Sequence, residues 1–205
     1  MDNWLANVQD ALAAMTAIEL IAVVAGVVYL VLAGKESLWC WLFAAVSTLL
    51  YIYILWDVKL YAEMALQFYY LFMAGYGFYQ WKFTHSQNGN KKPISVLSIK
   101  QHGLLILFTL ISSAVLGYIL ASQTDAQLPY VDSFTTIGAL VTTWMVTKKY
   151  LENWLYWIVV DGVAVYQYFN KELYLTALLF VAYVIMVIIG YFAWRKDYHQ
   201  QLAAN

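Results

Sequence analysis

Charge, cysteine and proline are all scarce in this chain of 205 residues. Lys, Arg, Asp and Glu make up 11% of it, where a soluble domain carries roughly 25%. With 63% hydrophobic residues, that shortage excludes an ordinary soluble domain and points to a polytopic membrane protein. The net charge of −1 gives no basic surface for nucleic acid. The single cysteine, Cys40, lies inside an apolar segment, so no intramolecular disulfide can form. The only prolines, Pro93 and Pro129, fall in polar connections. No basic n-region precedes the first apolar run, so a cleavable signal peptide is not expected.

Further absences remove reaction classes. There is no GxxxxGK phosphate loop, no HExxH and no CxxC, so neither ATP hydrolysis nor a metal or redox centre is expected. Neither a cofactor nor a metal is expected. The three histidines, His85, His102 and His199, sit at or beyond the ends of apolar runs, which argues against a histidine proton relay. Strands of alternating polarity, needed for a membrane β-barrel, are also missing.

What remains is a set of apolar runs near the length of about 20 residues that a helix needs to cross a bilayer. Seven are expected: Met15–Ala33, Leu38–Trp56, Leu60–Trp81, Gly103–Ala121, Phe134–Thr147, Trp154–Phe169 and Leu173–Trp194. The fifth and sixth are short unless their polar ends extend them. The polar stretch Lys82–His102, with Asn88-Gly89-Asn90-Lys91-Lys92-Pro93, reads as a linker, and a second loop, Ser122–Asp132, holds Pro129.

The chain also repeats itself. Shifted by 113 residues, Glu19–Lys82 lies on Asp132–Arg195 without a gap. Trp41 then meets Trp154, Tyr53 meets Tyr166, Tyr70 meets Tyr183, Gly77 meets Gly190 and Trp81 meets Trp194. Matched Trp, Tyr and Gly at one register are not expected by chance. Four crossings separate the start of each copy, so the copies point the same way, as in parallel-repeat sugar carriers of the SWEET type. The expected plan is an all-α, seven-helix 3+1+3 membrane protein. Residues 15–82 form the first repeat, 83–131 the linker loop and linking helix, and 132–196 the second repeat.

Orientation follows from the basic residues. One side holds only Lys59 and Lys171. The other holds Lys35, Lys82, Lys91, Lys92, Lys100, Lys148, Lys149, Arg195 and Lys196. The N-terminus is therefore expected outside and the C-terminus in the cytoplasm.

Polar groups inside the runs mark candidate chemistry, because an Asp at a helix centre costs about 2.5–3.5 kcal/mol. Asp161 is in the middle of the sixth run. Trp154, Trp157 and Asp161 follow at i, i+3 and i+7 on one helix face, which suits stacking and charge pairing with a flat cationic ring. Trp154 equally suits a membrane-interface belt. The third run carries Glu63, Gln67, Tyr70 and Ala74 as a stripe. Gln67 could bind a ligand amide or hydroxyl, or bond a neighbouring helix; Glu63 could be interfacial. Ser47, Thr48 and Tyr51 in the second run are weaker candidates, since Ser and Thr often bond their own helix. Glu19 and Asp132 form a mirrored acidic pair that could gate, anchor a loop or cap a helix. Trp157, Asp161 and Gln67 fall opposite Ala44, Thr48 and Phe180 in the repeat, so symmetry fails where an asymmetric ligand would need it to. A membrane enzyme would need a second catalytic group converging on Asp161, and none is evident.

The runs Leu66-Gln67-Phe68-Tyr69-Tyr70, Tyr76-Gly77-Phe78-Tyr79-Gln80-Trp81 and Glu152-Asn153-Trp154-Leu155-Tyr156-Trp157 resemble the Pnu family of bacterial vitamin transporters across all seven runs. That resemblance implies a SWEET-like fold, a homotrimer in the bacterial cytoplasmic membrane, and facilitated diffusion of a small cationic aromatic vitamin. A cytoplasmic vitamin kinase then traps the cargo. It implies substrate contacts at Gln67, Asn153, Trp154, Trp157 and the position of Asp161. The chain departs from some members with Ser47 and Asp161 where they carry Asn. Nicotinamide riboside is the leading cargo, with thiamine, carried by a related branch, as the alternative; both hold a cationic aromatic ring.

Overall fold

The computed structural model describes residues 3–84 and 92–203. His85 and the run Asn88-Gly89-Asn90-Lys91 lie outside the described residues. Eight α-helices are present among the described residues: α1 (Asn3–Ala14), α2 (Ala17–Gly34), α3 (Trp39–Asp57), α4 (Tyr61–Phe83), α5 (Ile99–Gln123), α6 (Pro129–Lys148), α7 (Asn153–Asn170) and α8 (Tyr174–Ala203). No β-strand occurs among them, only an isolated bridge between Ser95 and Tyr150. By length and hydropathy alone, α2, α3, α5 and α8 are able to cross a membrane. Helices α4, α6 and α7 are more polar, and α6 is rich in buried positions.

Helix ends follow from local chemistry. Thr16 and Glu19 form a reciprocal capping box that opens α2, and Ser98 with Gln101 does the same for α5. Pro129 occupies the first turn of α6, where its missing N–H costs nothing. The expected second loop is therefore shorter, and α6 is extended at both ends. Helix α1 was not anticipated; it packs on α8.

Helices adjacent in sequence pack as α2–α3–α4 and α6–α7–α8, with cross-contacts of α2 to α8 and α4 to α6. Helix α5 packs on α6, offering the small residues Thr109, Ser113 and Gly117. Its opposite face shows Leu104, Leu107, Phe108, Ile111 and Val115 outward.

Features recur at the 113-residue spacing. The non-glycine residues with positive φ among those described are Glu36, Lys59, Lys149 and Glu172, which is two pairs at that spacing. Each ends a helix in the left-handed conformation that stops an α-helix sharply. The Trp81 indole donates to the Val146 carbonyl at 3.2 Å, and the Trp194 indole donates to the Ala33 carbonyl at 3.0 Å. Trp41 lies edge-on to Trp81 at 5.2 Å, and Trp154 lies edge-on to Trp194 at 5.4 Å. Trp81 and Trp194 meet at 5.9 Å, so four indoles form one buried layer.

That layer needs two glycines. A Cβ on Gly77 would stand 2.3 Å from the Trp41 ring, and one on Gly190 would stand 2.5 Å from the Trp154 ring. Gly75, on the same helix as Gly77, has open space instead. Gly77→Ala is therefore expected to cost about 1–3 kcal/mol through overpacking. Gly75→Ala should be neutral or slightly stabilising through helix propensity. Thermal midpoints of the two variants in detergent separate these outcomes; equal midpoints would show that the indole can move aside.

Candidate functional site

Two cavities open between the helices. The smaller, about 320 Å³, is lined from α2 by Tyr29, from α4 by Tyr70, from α6 by Thr135 and Thr136, from α7 by Trp157, Asp161 and Tyr168, and from α8 by Phe180 and Tyr183. The larger, about 900 Å³, shares Tyr29, Tyr70, Trp157, Tyr168, Phe180 and Tyr183 as a wall. It adds Ser47, Thr48 and Tyr51 from α3, Gln67 and Ala74 from α4, and Ala11, Met15 and Glu19 toward one end. Both volumes fall in the range of about 300–1,000 Å³ taken by small-molecule sites.

Asp161 is 4% exposed and has no hydrogen bond or ion pair to any described residue. Its carboxylate lies within electrostatic reach of the Tyr70 and Tyr183 hydroxyls. Rings of Trp157, Tyr70, Tyr183 and Phe180 surround it, and the Phe180 and Tyr183 rings meet edge-on at 5.6 Å. A carboxylate within a box of aromatic faces is suited to a flat cation. Ser47 donates to the Ala22 carbonyl at 2.8 Å. Gly26 keeps its hydroxyl and that of Tyr183 close to the α2 backbone.

The structure brings Ser47, Gln67, Tyr70, Trp157 and Asp161 together on the cavity walls. Trp154, Asn153 and Glu63 stand elsewhere. Trp154 is 1% exposed and sits on Gly190 in the indole layer. The Asn153 side-chain amide donates to the Tyr150 carbonyl at 2.7 Å, and Glu63 is exposed. Glu19 borders the larger cavity and accepts from the Thr16 N–H at 2.6 Å, so it does cap its helix. Asp132 accepts from Lys171 Nζ at 2.6 Å and from the Gln167 amide, while Thr135 donates to Gln167 at 3.0 Å. It anchors the start of α6 to the end of α7. Tyr183, Tyr29, Tyr168 and Phe180 were not singled out from sequence. The repeat held a signal for Tyr183, the partner of Tyr70 at the 113-residue spacing.

The end of the cavity away from Glu19 is closed. The indole layer lies there, and beyond it Lys149 Nζ meets Glu36 Oε2 at 2.5 Å. The Lys149 side chain is 2% exposed and also donates to the Lys92 carbonyl at 3.1 Å. Residues 92–98 form a strap across this end, part of what sequence presented as a polar linker. The Ser95 N–H donates to Lys149, the Leu151 N–H donates to Ser95, and the Leu97 N–H donates to Glu152 Oε1. Lys92 reaches back to Gln80 Oε1 at 2.8 Å and to the Thr147 carbonyl at 3.3 Å.

Removing one partner of a buried ion pair costs about 3–5 kcal/mol, whereas replacing both by apolar groups can be nearly neutral. Glu36→Gln should thus lower the thermal midpoint sharply, and the double variant Glu36→Gln, Lys149→Met should recover most of the loss. A double variant as unstable as the single one would show that the ammonium is not the source of the cost. Lys92 gives a pH signature. Burial, then the charges of Lys148 and Lys149, lower its pKa from 10.5 to about 8. Between those values the unfolded chain binds more protons at Lys92 than the folded one, so this residue makes stability rise with pH. Melting curves of the wild type minus those of Lys92→Met should show that rise from about pH 8 to 10; parallel curves would contradict it.

The family described as nicotinamide mononucleotide transporter matches residues 16–196. A nicotinamide riboside transporter PnuC from Neisseria mucosa is 29% identical, over 95% of this chain and 73% of its own length. The PnuC of the same description from Escherichia coli is 23% identical, over 86% of this chain and 84% of its own. A riboflavin/roseoflavin transporter RibM from Streptomyces davaonensis is 22% identical, over 87% of this chain and 86% of its own. A crystal structure of the vitamin B3 transporter PnuC shares the fold, with a TM-score of 0.68, 24% identity, and coverage of 88% of this chain and 81% of that one. Apolar helices and this kinship together make it a multi-pass membrane protein. Its sequence motifs, its match over residues 16–196 and its fold agree: the chain belongs to the nicotinamide mononucleotide transporter family, in the PnuC-like Pnu group.

Proposed function

We propose that this protein carries nicotinamide riboside across the bacterial cytoplasmic membrane by facilitated diffusion, with cytoplasmic phosphorylation trapping the vitamin. The observation that carries this reading is Asp161, buried and without a hydrogen bond or ion pair to any described residue, among aromatic faces on a cavity wall. An ionised carboxylate away from water needs a counter-charge, and a pyridinium ring supplies one together with a face to stack. Several relatives are nicotinamide riboside transporters by name, which supports the same cargo. One relative is named for riboflavin, a neutral ring that leaves Asp161 unanswered. Thiamine, with a cationic ring, is the alternative cargo by the same mechanism.

The proposed architecture is seven crossings in a SWEET-like 3+1+3 parallel repeat. Helices α2–α4 and α6–α8 form the halves and α5 links them. The matched left-handed residues, indole bonds and glycine contacts at the 113-residue spacing support it. The excess of Lys and Arg beyond the indole layer supports a cytoplasmic C-terminus and an outer Glu19 end. A homotrimer and coupling to a vitamin kinase complete the reading, which makes this a carrier and not an enzyme. Within the cavity, Asp161 meets the ring charge, Trp157 and Tyr70 stack, and Gln67 and Ser47 serve the amide and sugar. Trp154 and Asn153 hold the start of α7 that carries Trp157.

Titration calorimetry of the purified protein against nicotinamide riboside and thiamine tests the cargo. Saturable binding of nicotinamide riboside is expected, and binding of neither vitamin overturns the reading. Asp161→Asn should weaken binding by about 1–3 kcal/mol, the scale of a charge-assisted contact. An unchanged affinity would remove the carboxylate from recognition. Uptake by proteoliposomes distinguishes a carrier from a binding or assembly protein.

A further inference from the structure

The two ends of the larger cavity are held in unlike ways. Beyond the indole layer, the buried Lys149–Glu36 pair and the bonds of the strap fasten one end. The other end is bordered by Ala11, Leu12 and Ala14 of α1 together with Leu175, Thr176 and Leu179 of α8. Helix α1 packs on α8 and on no other described helix, although the chain runs from it into α2. It therefore crosses from the first proposed half to the second. From Trp4 to Ala14 no side chain makes a hydrogen bond or ion pair with a described residue. Two of its three cavity-lining side chains are alanines, which bury little apolar area, so lifting them away costs little.

A joint is present at the right place. Met15 and Thr16 interrupt the helix, and Thr16 is extended, with φ −73° and ψ 157°. The reciprocal cap of Thr16 and Glu19 satisfies the first turn of α2 from within, so that turn keeps its bonds wherever α1 goes. Trp4, Leu5, Val8 and Leu12 share one face of α1 and Asp10 lies opposite; Trp4, Leu5 and Leu12 are exposed. A helix of that pattern rests in a membrane interface, which gives α1 a surface to lie on when it leaves α8.

We propose that α1 is a lid over the outer mouth of the cavity, swinging about Met15–Thr16 to admit cargo and settling on α8 to close the mouth. This rests on the carrier reading and the outer placement of the Glu19 end given above. Lids of this kind turn on a few residues between rigid elements. Lifting α1 breaks no side-chain hydrogen bond, whereas opening the opposite end breaks a buried ion pair and the bonds of the strap. The outer mouth is therefore the end that opens while the two halves stay at rest. The lid gates the cavity without coupling to a second solute, so cargo still moves down its own gradient.

Leu12→Cys combined with Thr176→Cys places one thiol on the lid and one on α8. Cys40 is buried, which leaves those two open to a bifunctional maleimide with a reducible spacer. Proteoliposomes of the double variant should take up nicotinamide riboside, lose that uptake on cross-linking and regain it on reduction. Each single variant carries the same reagent on one thiol and should keep its uptake, which controls for bulk at the mouth. Spin labels on the same pair should report two distances, one short and one long. Labels on Leu20→Cys and Thr176→Cys, which follow the two halves themselves, should hold one distance over the same conditions. Undiminished uptake after cross-linking overturns the lid and leaves the carrier intact. A single short Leu12–Thr176 distance with and without cargo does the same, as does a Leu20–Thr176 distance that widens in step with it, since the halves then rock as a whole. Absence of uptake by the untreated wild type removes the carrier reading, and the lid with it.

Discussion

A charge withdrawn from water inside an apolar bundle must meet an opposite charge, and that constraint organises this protein. Lys149 is almost fully buried at the end of α6. Its ammonium reaches Glu36, the Lys92 carbonyl and the face of Trp81 at 4.7 Å. Those contacts tie together the turn after α2, the end of α6, the strap before α5 and the indole layer on α4. Glu36 and Lys149 are themselves 113 residues apart. Equivalent positions that touch one another lie where the two proposed halves meet, so the ion pair stands on the line about which those halves are arranged. The Trp81–Trp194 contact lies on the same line.

From that closed end the rest of the cavity follows. The indoles fill the space between the halves and leave the larger cavity bordered by Met15 and Glu19 at its other end. The two proposed halves share packing contacts and differ in their lining. Gly77 and Gly190 accept the same indole contact, and Tyr70 and Tyr183 both line the cavity. Ala44 answers Trp157, Thr48 answers Asp161 and Phe180 answers Gln67. Matched packing contacts with an unequal lining border a cavity whose two walls present different chemistry, as an asymmetric ligand requires.

Much of this was legible in the sequence. Helices were legible because a bilayer-length apolar run has no other stable backbone solution, and those runs located most helix ends to within a few residues; α8 continues well past Trp194 to Ala203, because its last turns are polar. Helix α1 was not, because twelve residues with no long apolar run resemble a solvated arm. The strap at 92–98 was not, because its extended form depends on pairing with Tyr150 and Leu151, far along the chain. Trp154 shows the limit of helical periodicity. Spacing placed it on one face with Trp157 and Asp161, but a face wide enough for all three meets two environments: α8 at Gly190 and the open cavity. The match of Trp41–Gly77 to Trp154–Gly190 already hinted at a packing role. That Asp161 lacks a partner among the described residues could not be read at all, since it depends on what four other helices leave out.

The same constraint separates the two acids at the far end. Asp132 is bound to Lys171 and Gln167, so its negative charge locks α6 to α7. Glu19, its counterpart 113 residues earlier, accepts from the Thr16 N–H and hydroxyl within its own helix turn. Asp132 is answered by a lysine, and Glu19 is held through one oxygen by the two donors of its cap at the border of the larger cavity. Of the acids that line the two cavities, Asp161 is the one with neither oxygen bonded to a described residue, and its counterpart in the other proposed half is Thr48. Packing gives no reason for that combination, because the Thr48 counterpart occupies the equivalent position without any charge to satisfy. A charged ligand does give one.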